Sequence, residues 1–228
     1  MISTESNNMN IFYNQKHKAF TLAEVLITLG IIGVIAALTI PTLIQQKQKQ
    51  ETVTKLQKVY TTLVQAVTSS EAENGNSAEW DWGDNITTTE SFDTYWAPYL
   101  KIIKYCDNYS ICGYKTNSDL LSIQNESRFV VVDNHGRTVM LADGTLFKTL
   151  YSGTVKAIFV DINGPQGPNK YNRDVFRFSL DKNKHLMPYG YNHAESTIQD
   201  DCSKSGIGYA CSFKIMNDNW QIKDDYPW

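Results

Sequence analysis

At 228 residues, 42% of them hydrophobic and 20% charged, the chain is long enough for one medium domain with an appendage and too apolar to be disordered throughout. Its formal net charge is −3, and it has no dense Lys/Arg block beyond the short stretches around Lys16 to Lys18 and Lys47 to Lys49. The basic footprint of a dedicated nucleic-acid binder is therefore missing.

The first eighteen residues are polar, rich in Asn and Ser, and without sustained periodicity, which predicts an unstructured leader. Val25 to Ile44 then runs twenty residues without a charge, enough to cross roughly 30 Å of hydrocarbon at about 1.5 Å per residue. No clean small-residue cleavage site of a secretory signal follows, so the segment is expected to stay attached to the domain after it. Lys16 and Lys18 favour a cytoplasmic N-terminal end with the rest outside, while Lys47 and Lys49 pull the other way. A bare anchor needs neither Glu24 nor Pro41. Glu24 is a carboxylate at the head of hydrocarbon, a functional hypothesis that wants a partner. Pro41 removes a helical hydrogen bond and clashes with the Ala37 carbonyl, and Gly33 with Ala37 forms a small-xxx-small face that lets another helix approach. Taken singly, each also has a bland reading, since Gly and Pro are common in membrane helices and Glu24 can sit at the interface.

Beyond the apolar run, Val53, Leu56, Tyr60, Leu63, Val64 and Val67 recur at three- and four-residue steps, the pattern of an amphipathic helix. Gly75 between Asn74 and Asn76 is a natural stop. Joined to the apolar run, this predicts one helix from about Thr21 to Glu73, roughly 80 Å long. Trp80 to Ser127 lacks a dominant period and reads as irregular, with a short helix near Ser91 to Tyr105. The runs RFVVVD, RTVMLA, TLFKTLY, TVKAIFVDI and DVFRFSL, separated by turn formers, predict an antiparallel meander. Asp143-Gly144 has the signature of a two-residue type I′ hairpin turn. The tail from Asp181 to Trp228 reads as loop-rich.

Cys106, Cys112, Cys202 and Cys211 are spaced C-x5-C and C-x8-C, wider than the tight pairs of zinc sites, so disulfides in an oxidising compartment fit better than a metal. Short loops favour Cys106 with Cys112 and Cys202 with Cys211; the other connectivities stay open. In Val160 to Phe176, the oxygen donors Asp161, Asn163, Asn169 and Asp174 alternate with Gly164 and Gly167. These suit Ca²⁺, but a twelve-residue loop begun at Asp161 ends on Asn172 where an EF-hand needs an acid. The preferred reading is a wide turn built from Asx and Gly residues, with no cofactor assigned. His17, His135, His185 and His193 have no H-E-x-x-H spacing, and no G-x-S-x-G occurs. Trp80, Trp82, Trp96, Trp220 and Trp228 are read as packing residues rather than as a ligand surface.

Taken together, KAFTLAEVLITLGIIGVIAALTIPTL, with its basic leader, Ala19, Phe20 to Glu24 and the apolar run holding Gly33 and Pro41, resembles the N-terminus of type IV prepilins and type II secretion pseudopilins. The resemblance covers about the first quarter of the chain. It implies a pilin-like α+β fold, a long N-terminal helix whose second half packs on an antiparallel sheet. It implies cleavage between Ala19 and Phe20 by a prepilin peptidase, N-methylation of Phe20, and assembly with other copies or related pilins on an inner-membrane platform. In the family, Glu24 of an incoming subunit is thought to pair with the amine of its neighbour. Two departures stand out: Ala19 occupies a position where Gly is usual, and the nineteen-residue leader is longer than many. The expected division is a leader over 1–19, a membrane and polymerisation helix over 20–46, its amphipathic continuation over 47–75, and a head over 76–228. The expected role is structural rather than enzymatic; the alternative is an anchored extracytoplasmic binding domain that never polymerises.

Overall fold

The computed structural model describes residues 20–228 apart from 154, 182 and 184, so the leader, with His17 and Ala19, lies outside the described residues. The chain divides into two compact units, Met1–Gln46 and Lys47–Trp228. The helix α1, Leu22–Asn74, runs through both and contains Pro41. Its two parts bury nothing alike. In the first unit, the large apolar side chains from Leu22 to Ile44 are all exposed. In the second, Val53, Leu56, Val59, Leu63, Ala66, Val67 and Ser70 are buried, a stripe at the helical period. Tyr60 and Val64, expected on this stripe, flank it half-buried. Gly75 ends the helix in the left-handed conformation at φ 76°, its N–H returning to the Glu71 carbonyl at 3.0 Å. Only glycine takes that geometry without a Cβ penalty.

In the second unit, a six-stranded antiparallel sheet carries the order β1-β4-β5-β6-β7-β8. Its strands are β1 (Ile102–Tyr105), β4 (Thr138–Leu141), β5 (Leu146–Ser152), β6 (Val155–Asp161), β7 (Val175–Asp181) and β8 (His185–Pro188). The row Val139, Phe147, Val160 and Phe176, directly opposite one another across β4 to β7, packs with the α1 stripe. Side chains alternate across a strand, so the next row, Met140, Leu146, Asp161 and Val175, faces the other way. That face is covered by Cys106, Cys112, Tyr114, Leu120, Val131 and Tyr171. The sheet is thus buried on both sides, which explains why its strands read as nearly continuous apolar runs. Lys148, fully buried on the second face, ends on the Val130 carbonyl and on Asp133, each at 2.7 Å. Burial pulls its pKa down and Asp133 opposes that, so the pair fixes the 130–133 segment over the sheet.

Several expected elements change. The short helix is α2, Thr88–Tyr95, opened by a capping box between Thr87 and Glu90, and Ile102 to Tyr105 is strand rather than helix because it adds to the β4 edge. The run that includes Arg128 belongs to a separate two-stranded sheet of β2 (Leu120–Leu121) and β3 (Ser127–Phe129), outside the meander. At Asp143-Gly144 the turn is not type I′. Gly144 N–H bonds the Leu141 carbonyl, so Ala142 and Asp143 are the central residues, and only Gly144 has positive φ. This is the longer hairpin loop with a glycine bulge. The tail forms β8 and two short helices, α3 (Glu195–Asp201) and α4 (Cys211–Asn217).

Candidate functional site

Thr21 caps α1. Its hydroxyl accepts the Glu24 N–H at 3.2 Å, and Glu24 Oε2 accepts both the Thr21 N–H at 2.8 Å and the Thr21 hydroxyl at 2.9 Å. The two residues form a reciprocal capping box, which satisfies donors that a helix start leaves open. Among the described residues nothing donates to Glu24 Oε1, so one carboxylate oxygen is held and the other is available. Thr21 is the participant that the sequence reading passed over, although its signal, Thr three residues before Glu ahead of an apolar run, is legible.

Past this box the helix is long and apolar enough to cross a membrane. Two of its hydroxyls are turned inward on the backbone, Thr28 to the Val25 carbonyl and Thr39 to that of Ile35, each at 2.9 Å, so neither of these needs water. Phe20 is 85% exposed at its head. A Cβ built on Gly33 would meet nothing within 4 Å, which leaves a shallow site on the helix surface. The helix continues through Pro41, where the Ala37 carbonyl loses its helical donor.

The cysteines form two local disulfides. Cys106–Cys112 closes the turn after β1, and Cys202–Cys211 ties the end of α3 to the start of α4. Three tryptophans are core: Trp80 stacks on Tyr95 with centroids 4.8 Å apart, and Trp96 meets Trp80, Trp82 and Phe147. Trp220 lies against Tyr60 and Trp228 against Arg173. The histidines serve separate contacts: His185 pairs with Glu71 at 2.6 Å, His135 lies near Asp133, and His193 meets the Tyr189 ring.

The calcium candidates are brought to one loop between β6 and β7. Asp161, 1% exposed, takes the Tyr114 hydroxyl at 2.8 Å on one oxygen and the Asn163 N–H at 3.3 Å on the other. Asp174, 3% exposed, takes the N–H groups of Lys170 at 2.6 Å and Asn169 at 3.0 Å. Burial, and after it the charge of Asp174, pushes Asp161 well above the usual carboxylate range; burial pushes Asp174 up to about 6 against its hydrogen bonds. Asn163 and Asn169 each keep one amide oxygen without a donor. Calcium takes six to eight oxygens, and the loop brings two buried carboxylates together with the Asn163 and Asn169 amide oxygens. All four carboxylate oxygens already accept a donor of the chain, and among the described residues no group of three or more His, Cys, Asp or Glu gathers for a metal.

Residues 14–40 match the prokaryotic N-terminal methylation motif, and residues 42–228 match a family described as a family of unknown function, DUF6613. The chain belongs to DUF6613. No curated protein and no solved structure matches it. In this DUF6613 protein the methylation motif ends one residue before Pro41 and takes in Phe20, Thr21, Glu24 and Gly33. The chain is therefore a type IV prepilin-like or pseudopilin-like precursor, with the α+β architecture of an apolar N-terminal helix and an antiparallel sheet.

Proposed function

We propose that this protein is a filament subunit, a pilin or pseudopilin of a type IV pilus or type II secretion filament. A prepilin peptidase cuts it between Ala19 and Phe20 and methylates the new terminus. The leader, 1–19, is lost; 20–46 holds the subunit in the inner membrane with the head outside, then enters the filament core; 47–75 and 76–228 form the exposed subunit. Its partners are the peptidase, the assembly platform, membrane lipid and other copies or related pilins.

The observation that carries this reading is a capped carboxylate at the start of a helix whose large apolar side chains from Leu22 to Ile44 all lie bare. Cleavage would free an amine at Phe20, basic near neutral pH. In a packed bundle an ammonium and a carboxylate neutralise each other, and losing one partner of such a pair costs about 3 to 5 kcal/mol. Glu24, held on one oxygen by Thr21, offers the other to the amine of an adjacent subunit, which sets axial register. Gly33 gives close helix approach, and Pro41 lets the helix loosen where subunits crowd. Glu24→Ala is expected to reach the membrane yet fail to enter filaments.

Mass spectrometry of the N-terminus of protein recovered from membranes tests the processing step. A methylated Phe20 start is expected; a Met1 start in cells with a working peptidase would leave a plain anchor instead. The β6–β7 loop is read as a self-closed turn. The unfolding midpoint of the chain in detergent is expected to be the same with millimolar CaCl₂ as with NaCl of equal ionic strength, and a selective rise with calcium would reverse that reading.

A further inference from the structure

A cavity of about 220 Å³ lies between the Gln48 to Lys55 stretch of α1 and the β6–β7 loop, wholly within the second unit. Its unmet donors outnumber its unmet acceptors. Arg173 stacks on the Trp228 indole at 4.1 Å from the ring centre, and among the described residues its guanidinium makes no hydrogen bond and no ion pair. Lys55, exposed on the rim, makes no ion pair among the described residues either. The Trp228 indole N–H is buried without an acceptor, while Asn163 Oδ1 is the cavity's one orphaned acceptor among the described residues. The acids on the same wall are engaged elsewhere. Asp174 takes the Asn169 and Lys170 amides, and Glu51 lies 3.7 Å from Lys47.

The Arg173 guanidinium is half-buried, and burial works against its charge, so an anion that reaches it is held more strongly than in open water. Five N–H groups in a planar fork match the two oxygens of a carboxylate, and a guanidinium so bound can keep its stacking on an aromatic ring. We propose that this cavity is a carboxylate-binding site, in which Arg173 takes both oxygens of the anion while stacked on Trp228 and Lys55 closes the rim. The proposal stands apart from the filament reading, since it rests on the second unit alone. The carboxylate comes from a small molecule or from an Asp or Glu side chain of a second copy.

The test titrates the full-length chain in nonionic detergent with sodium succinate, against sodium chloride at equal ionic strength, and follows tryptophan fluorescence and thermal unfolding. A small-molecule source predicts saturable fluorescence change and a raised midpoint, with affinity cut about tenfold in Arg173→Gln and several-fold in Lys55→Gln. Lys55 is exposed, so its variant reads the site even where Arg173→Gln disturbs folding. A second-copy source predicts self-association in sedimentation that both substitutions weaken and succinate competes away. Succinate acting no differently from chloride, together with sedimentation indifferent to Lys55→Gln and to a folded Arg173→Gln, overturns the proposal.

Discussion

Asp161 stands in a row where its cross-strand neighbours are Leu146 and Val175, so its carboxyl has traded water for aliphatic groups, the Tyr114 hydroxyl and the Asn163 N–H. Asp174, at the other end of the loop, adds a like charge. Both pKa values are raised on folding, so the stabilisation that these carboxyls give is complete below their unfolded values and fades as pH rises through the folded ones. For Asp174 the window runs from about 3.8 to about 6, and the difference is on the order of 3 kcal/mol; Asp161 extends the loss to higher pH. The unfolding midpoint is therefore expected to fall as pH rises from about 4 through about 6 and beyond, opposite to the trend of ion-paired carboxylates. Asp161→Asn, which removes one of the two charges, is expected to flatten that slope in thermal melts. A variant as steep as the parent would place the dependence on other groups. Thr21 supports a second residue-scale expectation. Thr21→Val deletes both bonds made by the hydroxyl and costs about 1 kcal/mol of helix start, so filament yield is expected to drop while Thr21→Ser restores it.

Among the elements, α1 shows how one helix serves two environments by changing its pattern rather than its backbone. Leu63 is fully buried against the sheet, whereas Leu38 is 73% exposed. Leu63→Ala is expected to cost about 2 to 5 kcal/mol of stability, read as a lowered unfolding midpoint in detergent, while Leu38→Ala leaves the midpoint in place. A comparable loss from both would mean that the first stretch packs on the chain itself. The approach of β5 to the segment before β4 depends on a missing side chain: a Cβ on Gly136 would lie 1.8 Å from the Thr149 carbonyl oxygen. Backbone must move to admit it, so Gly136→Ala is expected to cost roughly 2 kcal/mol or more. Denaturant unfolding measures this directly.

At the scale of the molecule, the second unit is a sheet between two covers, α1 on one side and loops on the other. The loop cover has little regular structure to hold it, and its hold comes from side chains and cross-links. Lys148 grips the 130–133 segment, and Cys106–Cys112 contributes to the second core. The other disulfide, Cys202–Cys211, belongs to the helix-side core. Each bridge closes a loop of under a dozen residues, a length that gives about 2 to 3 kcal/mol by limiting the unfolded chain. Reduction is accordingly expected to lower the unfolding midpoint by several degrees without abolishing the fold, and a midpoint unmoved by reductant would assign the stability to packing alone.

How much of this was legible in sequence follows from the range of the interactions involved. The long helix, its stop at Gly75, the apolar run and Glu24 at its head were readable, because periodicity, glycine at a helix end and a lone charge in hydrocarbon are local signals. The strands β4 to β7 were readable for the same reason. What surrounds them was not. Ile102 to Tyr105 becomes a strand only because the β4 edge is there to pair with it, and Lys148 is buried only because a carbonyl and a carboxylate arrive from fifteen or more residues away. Likewise the donors that the Asp161 and Asp174 carboxylates accept, the Tyr114 hydroxyl and the Asn163, Asn169 and Lys170 amides, could not be read from the loop's composition, which favoured a turn over a metal site without naming its bonds. Where the chain is apolar, and at what period, is written along its length; which polar groups meet is settled only in three dimensions, since a buried hydrogen bond or ion pair is set by partners distant in the chain.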